Sequence, residues 1–365
     1  MGLKCGIVGV ANVGKSTLFN CMSNTRVETS SFAFTTNKSN MGVVNVPEPR
    51  LYNLENFQTT EKVIPATVDI VDIPGLTKGA SQGEGVGNKF LADIRNSDAL
   101  IHVLRCFDDE QLPHIDGSVD PVRDIETLNL ELQVKDLESV EKKIERLGRV
   151  AKSGDKDAKR GVEVLQRYKA HLEDFQNART LEISEGDKKY IEDLFLLTCK
   201  PVMYVCNVDD ASATTGNAYV EKVKSYLAEE GPEVLVLAAR LESEIAELED
   251  EDDRRAFLAD AGLEEPGVSK LVRAAYAMLN LISFFTVGPK EIRAWTIRKG
   301  ATAPEAAGAI HSDLQRGFIR AEVMKYEDFI SLGSEQACKE QGKLSVEGKQ
   351  YVVGEADILH IRFNV

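Results

Sequence analysis

The stretch that most constrains this chain is Gly9-Val10-Ala11-Asn12-Val13-Gly14-Lys15-Ser16-Thr17, which fits the phosphate-binding pattern G-x-x-x-x-G-K-[ST]. The pattern works only at a turn between a strand and a helix. There the backbone N–H groups wrap the phosphates, the lysine neutralises their charge, the hydroxyl holds Mg²⁺ and the helix dipole faces the same anion. Leu3 to Val8 reads as a buried strand and Lys15 to Met22 as the opening of a helix, so the motif stands where its chemistry needs it. Asn12, Val13, Gly14, Lys15, Ser16 and Thr17 are the expected phosphate-binding residues, Lys15 also stabilising transferred charge and Ser16 also ligating Mg²⁺.

Further segments fall into place around a bound nucleotide. Ser30 to Thr36 is a polar and aromatic loop; in a nucleotide switch a threonine there closes on Mg²⁺ and the γ-phosphate, and Thr36 is the candidate. Residues Ala66 to Ile73 alternate like a strand ending in Asp72-Ile73-Pro74-Gly75. This D-x-x-G pattern supplies an acid to organise the metal and a glycine, Gly75, whose N–H can approach the γ-phosphate. Leu76 follows, where Ras-type GTPases carry a water-orienting glutamine; a leucine cannot hydrogen-bond water, so that function must come from elsewhere. The glycine-dense run Thr77 to Phe90 reads as a second switch segment. His102 lies inside the apolar strand Ala99 to Arg105 and reads as a core histidine, whereas His114, in the turn-rich loop Pro113 to Gly117, is free to swing toward the phosphates. Asn207-Val208-Asp209-Asp210, after the strand Pro201 to Cys206, takes the place of the base-reading N-x-x-D, with Val208 replacing the usual lysine. Asn207 and Asp210 are thus the candidate base contacts.

Helical spacing of Leu130, Val134, Leu137, Val140 and Ile144, and again from Val162 to Phe175, predicts an antiparallel helical hairpin between residues 129 and 198. Beyond Gly288 the pattern changes to a small mixed module, with strands at Ile292 to Ile297, Lys349 to Val353 and Ile358 to Phe363 and a helix at Ala303 to Leu314. The expected fold class is α/β: a doubly wound P-loop NTPase domain (residues 1–128 and 199–281) with an inserted helical arm (129–198) and a C-terminal α+β domain (282–365). The acidic run Glu242 to Asp253 reads as a solvated helix face. A formal net charge of -15 argues against bulk coating of nucleic acid while leaving room for a local basic face. The scattered cysteines without C-x-x-C, the lack of a long apolar run and the start at Met1 straight into the strand predict reduced thiols, no membrane span and a cytoplasmic location.

Taken together, the P-loop, F-x-F-T-T at Phe32 to Thr36, D-I-P-G-L at Asp72 to Leu76 and the block running from Phe284 to Val365 resemble the Obg-like ATPase family, known in bacteria as YchF. The C-terminal block resembles the TGS module, a ubiquitin-like β-grasp domain. The resemblance implies an ATP-hydrolysing switch that uses Mg²⁺ held by Ser16 and Thr36, with GTP hydrolysis and a nucleotide-gated RNA adaptor as alternatives. It also implies His114 as the loop histidine acting in hydrolysis, base contacts from Asn207 and Val208, association with the ribosome, and RNA contact through the TGS domain or the arm. The family's base motif usually ends in glutamate; Asp210 is instead the residue with which GTPases read guanine.

Overall fold

The computed structural model describes residues 3–23, 39–75 and 86–364; Thr36, Leu76 and most of the second glycine-rich segment lie outside them. In chain order the strands are β1 (Lys4–Val8), β2 (Asn40–Asn45), β3 (Val63–Ile64), β4 (Thr67–Asp72), β5 (Ala99–Arg105), β6 (Val202–Asn207), β7 (Val234–Leu237), β8 (Leu281–Val287), β9 (Ile292–Arg298), β10 (Phe318–Met324), β11 (Leu344–Glu347) and β12 (Ile358–Phe363). The helices are α1 (Lys15–Met22), α2 (Pro49–Asn53), α3 (Val86–Arg95), α4 (Pro121–Ala151), α5 (Lys156–Glu173), α6 (Ala218–Leu227), α7 (Ala239–Glu247), α8 (Glu251–Asp260), α9 (Gly267–Met278), α10 (Ala303–Ile310), α11 (Ser312–Arg316), α12 (Tyr326–Leu332) and α13 (Glu335–Glu340). The chain forms two compact units, Met1–Gly42 with Asp69–Leu271, and Val43–Val68 with Val272–Val365.

The first unit is built on a sheet of order β2-β4-β1-β5-β6-β7, in which β1 pairs in parallel with β4 and β5, β5 with β6 and β6 with β7. Strands covered on both faces need continuous apolar runs, and β5 (ALIHVLR) is buried at every position. β1 has neighbours on both sides, and the loops leaving the carboxyl ends of β1, β4, β5, β6 and β7 carry the motifs. In open α/β sheets that edge is where ligands bind.

The expected hairpin is present, but its first helix begins earlier than the pattern suggested. Asp120 caps α4 by accepting from Arg123 N–H, with Pro121 in the first turn. Leu128 and Leu132 of α4 then pack with Val8, Ile73, Phe90 and Leu100 of the sheet. One continuous helix therefore crosses the boundary expected at residue 129, and the arm belongs to the same compact unit as the sheet. Farther along, Val140 meets Val164, Leu165, Tyr168 and Leu172 of α5.

The second unit carries a mixed sheet of order β11-β10-β12-β8-β9-β3. Helix α10 packs on it through Ala303, Ala306 and Ala307, against Phe284, Phe318 and Leu359; small residues let the helix approach the sheet closely. Segment 349–353 forms only an isolated bridge, Val352 to Thr302, in place of the expected strand. β3 adds to this sheet by pairing in parallel with β9, so residues 43–68 group with the C-terminal module although they precede Asp72 in sequence. Among the described residues no helix is long and apolar enough to cross a membrane, and all six cysteines are free.

Candidate functional site

The P-loop turns sharply enough that three of its positions take positive φ, Gly9 at 148°, Asn12 at 62° and Gly14 at 96°. A side chain at Gly14 would be strained by that angle and would also place Cβ 2.5 Å from Asn207 Nδ2. Helix α1 starts at Lys15 without a side-chain cap, so its first N–H groups remain for an anion. Lys15 itself is only 7% exposed, and its Nζ donates to the Val10 carbonyl at 2.6 Å. Burial pulls its pKa down from 10.5 to about 8, with nearby Asp72 working in the opposite direction.

Asp72, at the end of β4, accepts from Ser16 Oγ through Oδ2 at 2.8 Å. Its other oxygen, Oδ1, is buried without a hydrogen-bond partner, and burial raises this carboxyl's pKa against the Ser16 hydrogen bond and the Lys15 charge. An orphaned buried carboxylate oxygen beside a hydroxyl is a donor set suited to a hard divalent cation. Gly75 follows in the same turn, where an added Cβ would stand 3.2 Å from Ala11 N and 3.3 Å from Lys15 Nζ. A side chain there would press the P-loop backbone or the Lys15 amine back by a few tenths of an ångström. Ser16, Asp72, Gly75 and Lys15 thus lie together at the carboxyl ends of β1 and β4.

The base-side residues are placed differently from the simple reading. Asn207 donates through Nδ2 to the Val13 carbonyl at 2.9 Å and accepts through Oδ1 from Ala239 N–H at 2.8 Å. Its amide therefore ties the P-loop to the turn after β7. Val208 is buried, and its N–H is used by the Leu237 carbonyl. Asp210 points to solvent, where Arg240 Nε approaches it at 3.6 Å.

His114 is not the free loop side chain that its turn-rich surroundings suggested. Its side chain is 2% exposed; Nδ1 accepts from Asp116 N–H at 3.1 Å and Nε2 lies 3.1 Å from Asp124 Oδ2. An accepting Nδ1 puts the ring proton on Nε2, donated to the carboxylate. The fold captures the loop because Arg105, buried at the end of β5, donates to the carbonyls of Phe107, Asp109 and Leu112. His114, Asp116 and Asp124 each bring a ligand atom within 4.8 Å of the others. Arg123 Nε, 3.7 Å from Asp116 and 3.9 Å from Asp124, already supplies the opposite charge there.

Residues 281–364 match the YchF-GTPase_C family model, described as "Protein of unknown function (DUF933)", and residues 4–146 match a model described as "50S ribosome-binding GTPase". A Haemophilus influenzae protein named "Ribosome-binding ATPase YchF" is 48% identical over 365 residues, covering 100% of both chains. The chain belongs to the YchF family. A Bacillus subtilis relative of the same name is 47% identical over 367 residues, again covering 100% of both chains. The solved structure of the Schizosaccharomyces pombe YchF GTPase superposes with a TM-score of 0.87 at 34% identity, over 99% of this chain and 98% of that one.

Set on this YchF fold, two site-supporting residues, Arg105 and Asp124, carry no motif signal. Arg105 closes an apolar strand pattern and carries no signal of its own. Asp124 is ten residues from His114 and meets it only through the turn into α4. Arg240 follows the Ala238-Ala239 turn, at the position where an S-A-K-like motif carries its lysine; the sequence pattern marks that turn, and the structure adds its approach to Asp210.

Proposed function

We propose that this protein hydrolyses ATP to ADP and phosphate with Mg²⁺ and docks on the ribosome in the cytoplasm; ATP hydrolysis and ribosome binding are what the names of its relatives state of them. The observation that carries the reading is the meeting of buried Lys15, the Ser16–Asp72 pair and close-packed Gly75. Mg²⁺, when bound, would neutralise charge on the phosphates; Ser16 and, from the segment outside the described residues, Thr36 are its proposed ligands, and Asp72 orients Ser16. Asn12 to Thr17 present backbone N–H groups to the phosphates, and Lys15 exchanges the Val10 carbonyl for a phosphate oxygen. Gly75 brings its N–H beside the γ-phosphate.

With Leu76 unable to orient water, His114 is the residue assigned to that task. Asp124 holds the Nε2 proton, which leaves Nδ1 as the basic atom, and the 3.1 Å hydrogen bond from Asp116 N–H is the contact it must exchange for the nucleophile. Asp210 is the candidate base contact, with Asn207 and Val208 shaping the pocket floor. Hydrolysis of GTP is the alternative that the exposed carboxylate of Asp210 favours. Phosphate release from ATP by the parent protein and by Lys15→Ala tests the reading: turnover equal in the two removes the P-loop from the mechanism. RNA contact, through the C-terminal domain or the helical arm, is part of the same proposal.

A further inference from the structure

Helix α5 ends in a Schellman arrangement, in which Gln176 N–H donates to the His171 carbonyl and Phe175 N–H to the Leu172 carbonyl. The residue at that turn must take a left-handed backbone, a place that favours glycine, yet Phe175 holds it at φ 56°. Packing of the ring does not offset the strain, because the residue is 71% exposed. A strained position that keeps a bulky aromatic in water points to use rather than to folding.

Phe175 does not stand by itself. Gln133 Nε2 donates to its carbonyl at 3.1 Å, which sets it beside α4. The apolar row of α4 that meets α5 through Leu137, Val140 and Ile144 runs on toward the start of the helix at Val134 and Leu130, which are 38% and 44% exposed. One turn before Leu130, on the same helical face, Glu126 approaches the hydroxyl of Tyr226 on α6, and that tyrosine is also 44% exposed. Single apolar side chains are ordinary on a surface, but Tyr226, Leu130, Val134 and Phe175 are neighbours across three helices of one compact unit, and a contiguous set marks a contact.

The charge around this strip says what covers it. Glu173 and Glu230 are matched by Lys169 and Arg179, whereas among the described residues Glu126, Asp174 and Glu229 have no cationic partner within 4.0 Å. Uncompensated carboxylates repel a phosphate backbone and an anionic lipid surface, and equally a second copy of this chain, whose net charge is -15. Apolar anchors flanked by lysine or arginine satisfy both the strip and its rim.

We infer that the strip is a docking surface for a basic amphipathic helix of a protein partner, whose apolar face lies on Leu130, Val134, Phe175 and Tyr226 and whose cationic side chains meet Glu126, Asp174 and Glu229. The inference is independent of the ribosome-docking reading.

The test uses the full-length protein, the variant Phe175→Gly and the double variant Leu130→Ser/Phe175→Gly. Fluorescence anisotropy follows a labelled peptide that repeats Leu-Lys-Lys-Leu-Leu-Lys-Leu, leucine on one helical face and lysine on the other, beside a peptide of the same composition scrambled to spread leucine around the helix. The parent is expected to bind the amphipathic peptide at least about tenfold more tightly than the scrambled one, and the double variant to lose about tenfold or more of that affinity, with Phe175→Gly between them. Urea unfolding of Phe175→Gly is expected to show no loss of stability, because glycine relieves the left-handed angle. Equal binding of the two peptides would reduce the contact to bulk charge and overturn the inference, as would equal affinity of the parent and the double variant. A clear drop in the stability of Phe175→Gly would make the ring a packing element instead, and a parent dimer in sedimentation velocity that Phe175→Gly dissociates would give the surface to a second copy; either result overturns the assignment.

Discussion

The Asn12 side-chain amide donates to the Pro113 carbonyl at 3.3 Å, so the phosphate-binding loop holds the residue next to His114. Arg105 grips the same segment from behind, and Asp124 fixes the imidazole. The histidine is thus mounted on a rigid element that is wired to the P-loop, which is how a group meant to act on a precisely placed nucleophile is usually supported.

The first prediction follows from that mounting. His114→Ala is expected to lower kcat by two orders of magnitude or so, typical of losing a general base, with ATP affinity changed less than about threefold. Asp124→Asn, which keeps the shape but weakens the clasp on Nε2, should produce a smaller loss of the same kind. Single-turnover kinetics beside nucleotide titration separate the two quantities. Equal rates for His114→Ala and the parent would exclude the assignment.

Lys15 yields a pH signature. Its pKa in the folded chain is about 8 rather than 10.5 because burial outweighs the pull of Asp72. Between those values the unfolded chain binds more protons than the folded one, so this group makes stability rise with pH through that window. Nucleotide phosphates favour the charged amine. ATP affinity should therefore fall as pH climbs above about 8, and binding at pH 9 should take up a proton, visible as a buffer-dependent heat in calorimetry. Lys15→Ala should abolish both the proton uptake and hydrolysis, and a parent that binds at pH 9 without proton uptake would contradict the assignment.

Asn207 predicts a structural loss. Replacing it by alanine strips the Val13 carbonyl and the Ala239 N–H of their partners, and each buried group left unsatisfied costs about 1–3 kcal/mol. Urea unfolding should show a loss of roughly 2–4 kcal/mol, together with weaker binding of both ATP and GTP by a similar factor. A variant with unchanged stability would show that the bridge between the two loops carries no energy.

These cases also mark what was legible in the sequence. The P-loop, Asp72 and Asn207 are legible because each stands at the carboxyl end of a strand, and those ends of neighbouring parallel strands meet at one edge. What the sequence hid was tertiary. Glu242 opens an acidic run that looked solvated, yet it is 2% exposed and accepts from the N–H groups of Gly267 and Val268, because α9 needs its N-terminus capped. The pairing of β3 with β9 joins segments more than two hundred residues apart, and no local pattern reports such a partner. The turn residues around His114 suggest a mobile side chain for the same reason: its clasp comes from Asp124 on α4.

The last prediction concerns the base. An aspartate at position 210 can accept from both N1–H and the exocyclic amine of guanine, whereas adenine sets the acceptor N1 against it; taken alone, Asp210 favours GTP. In the structure that carboxylate is not alone, since Arg240 Nε stands 3.6 Å away. A guanidinium beside the carboxylate offsets its repulsion of adenine N1 and offers a donor to it, while the buried Val208 supplies none of the charge of the lysine that packs along guanine in GTPases. The pair is exposed, so its effect is limited to the order of one hydrogen bond, and a tenfold change in preference is only about 1.4 kcal/mol. ATP is therefore expected to bind at least as tightly as GTP. Arg240→Ala should shift the ratio toward GTP by about three- to tenfold, and Asp210→Glu, matching the usual family residue, should shift it toward ATP. Parallel titrations of the three proteins with both nucleotides decide the matter: GTP bound tenfold or more tightly than ATP by the parent would overturn the ATPase assignment and leave the fold untouched, and a ratio unmoved by Arg240→Ala would remove the arginine from base selection.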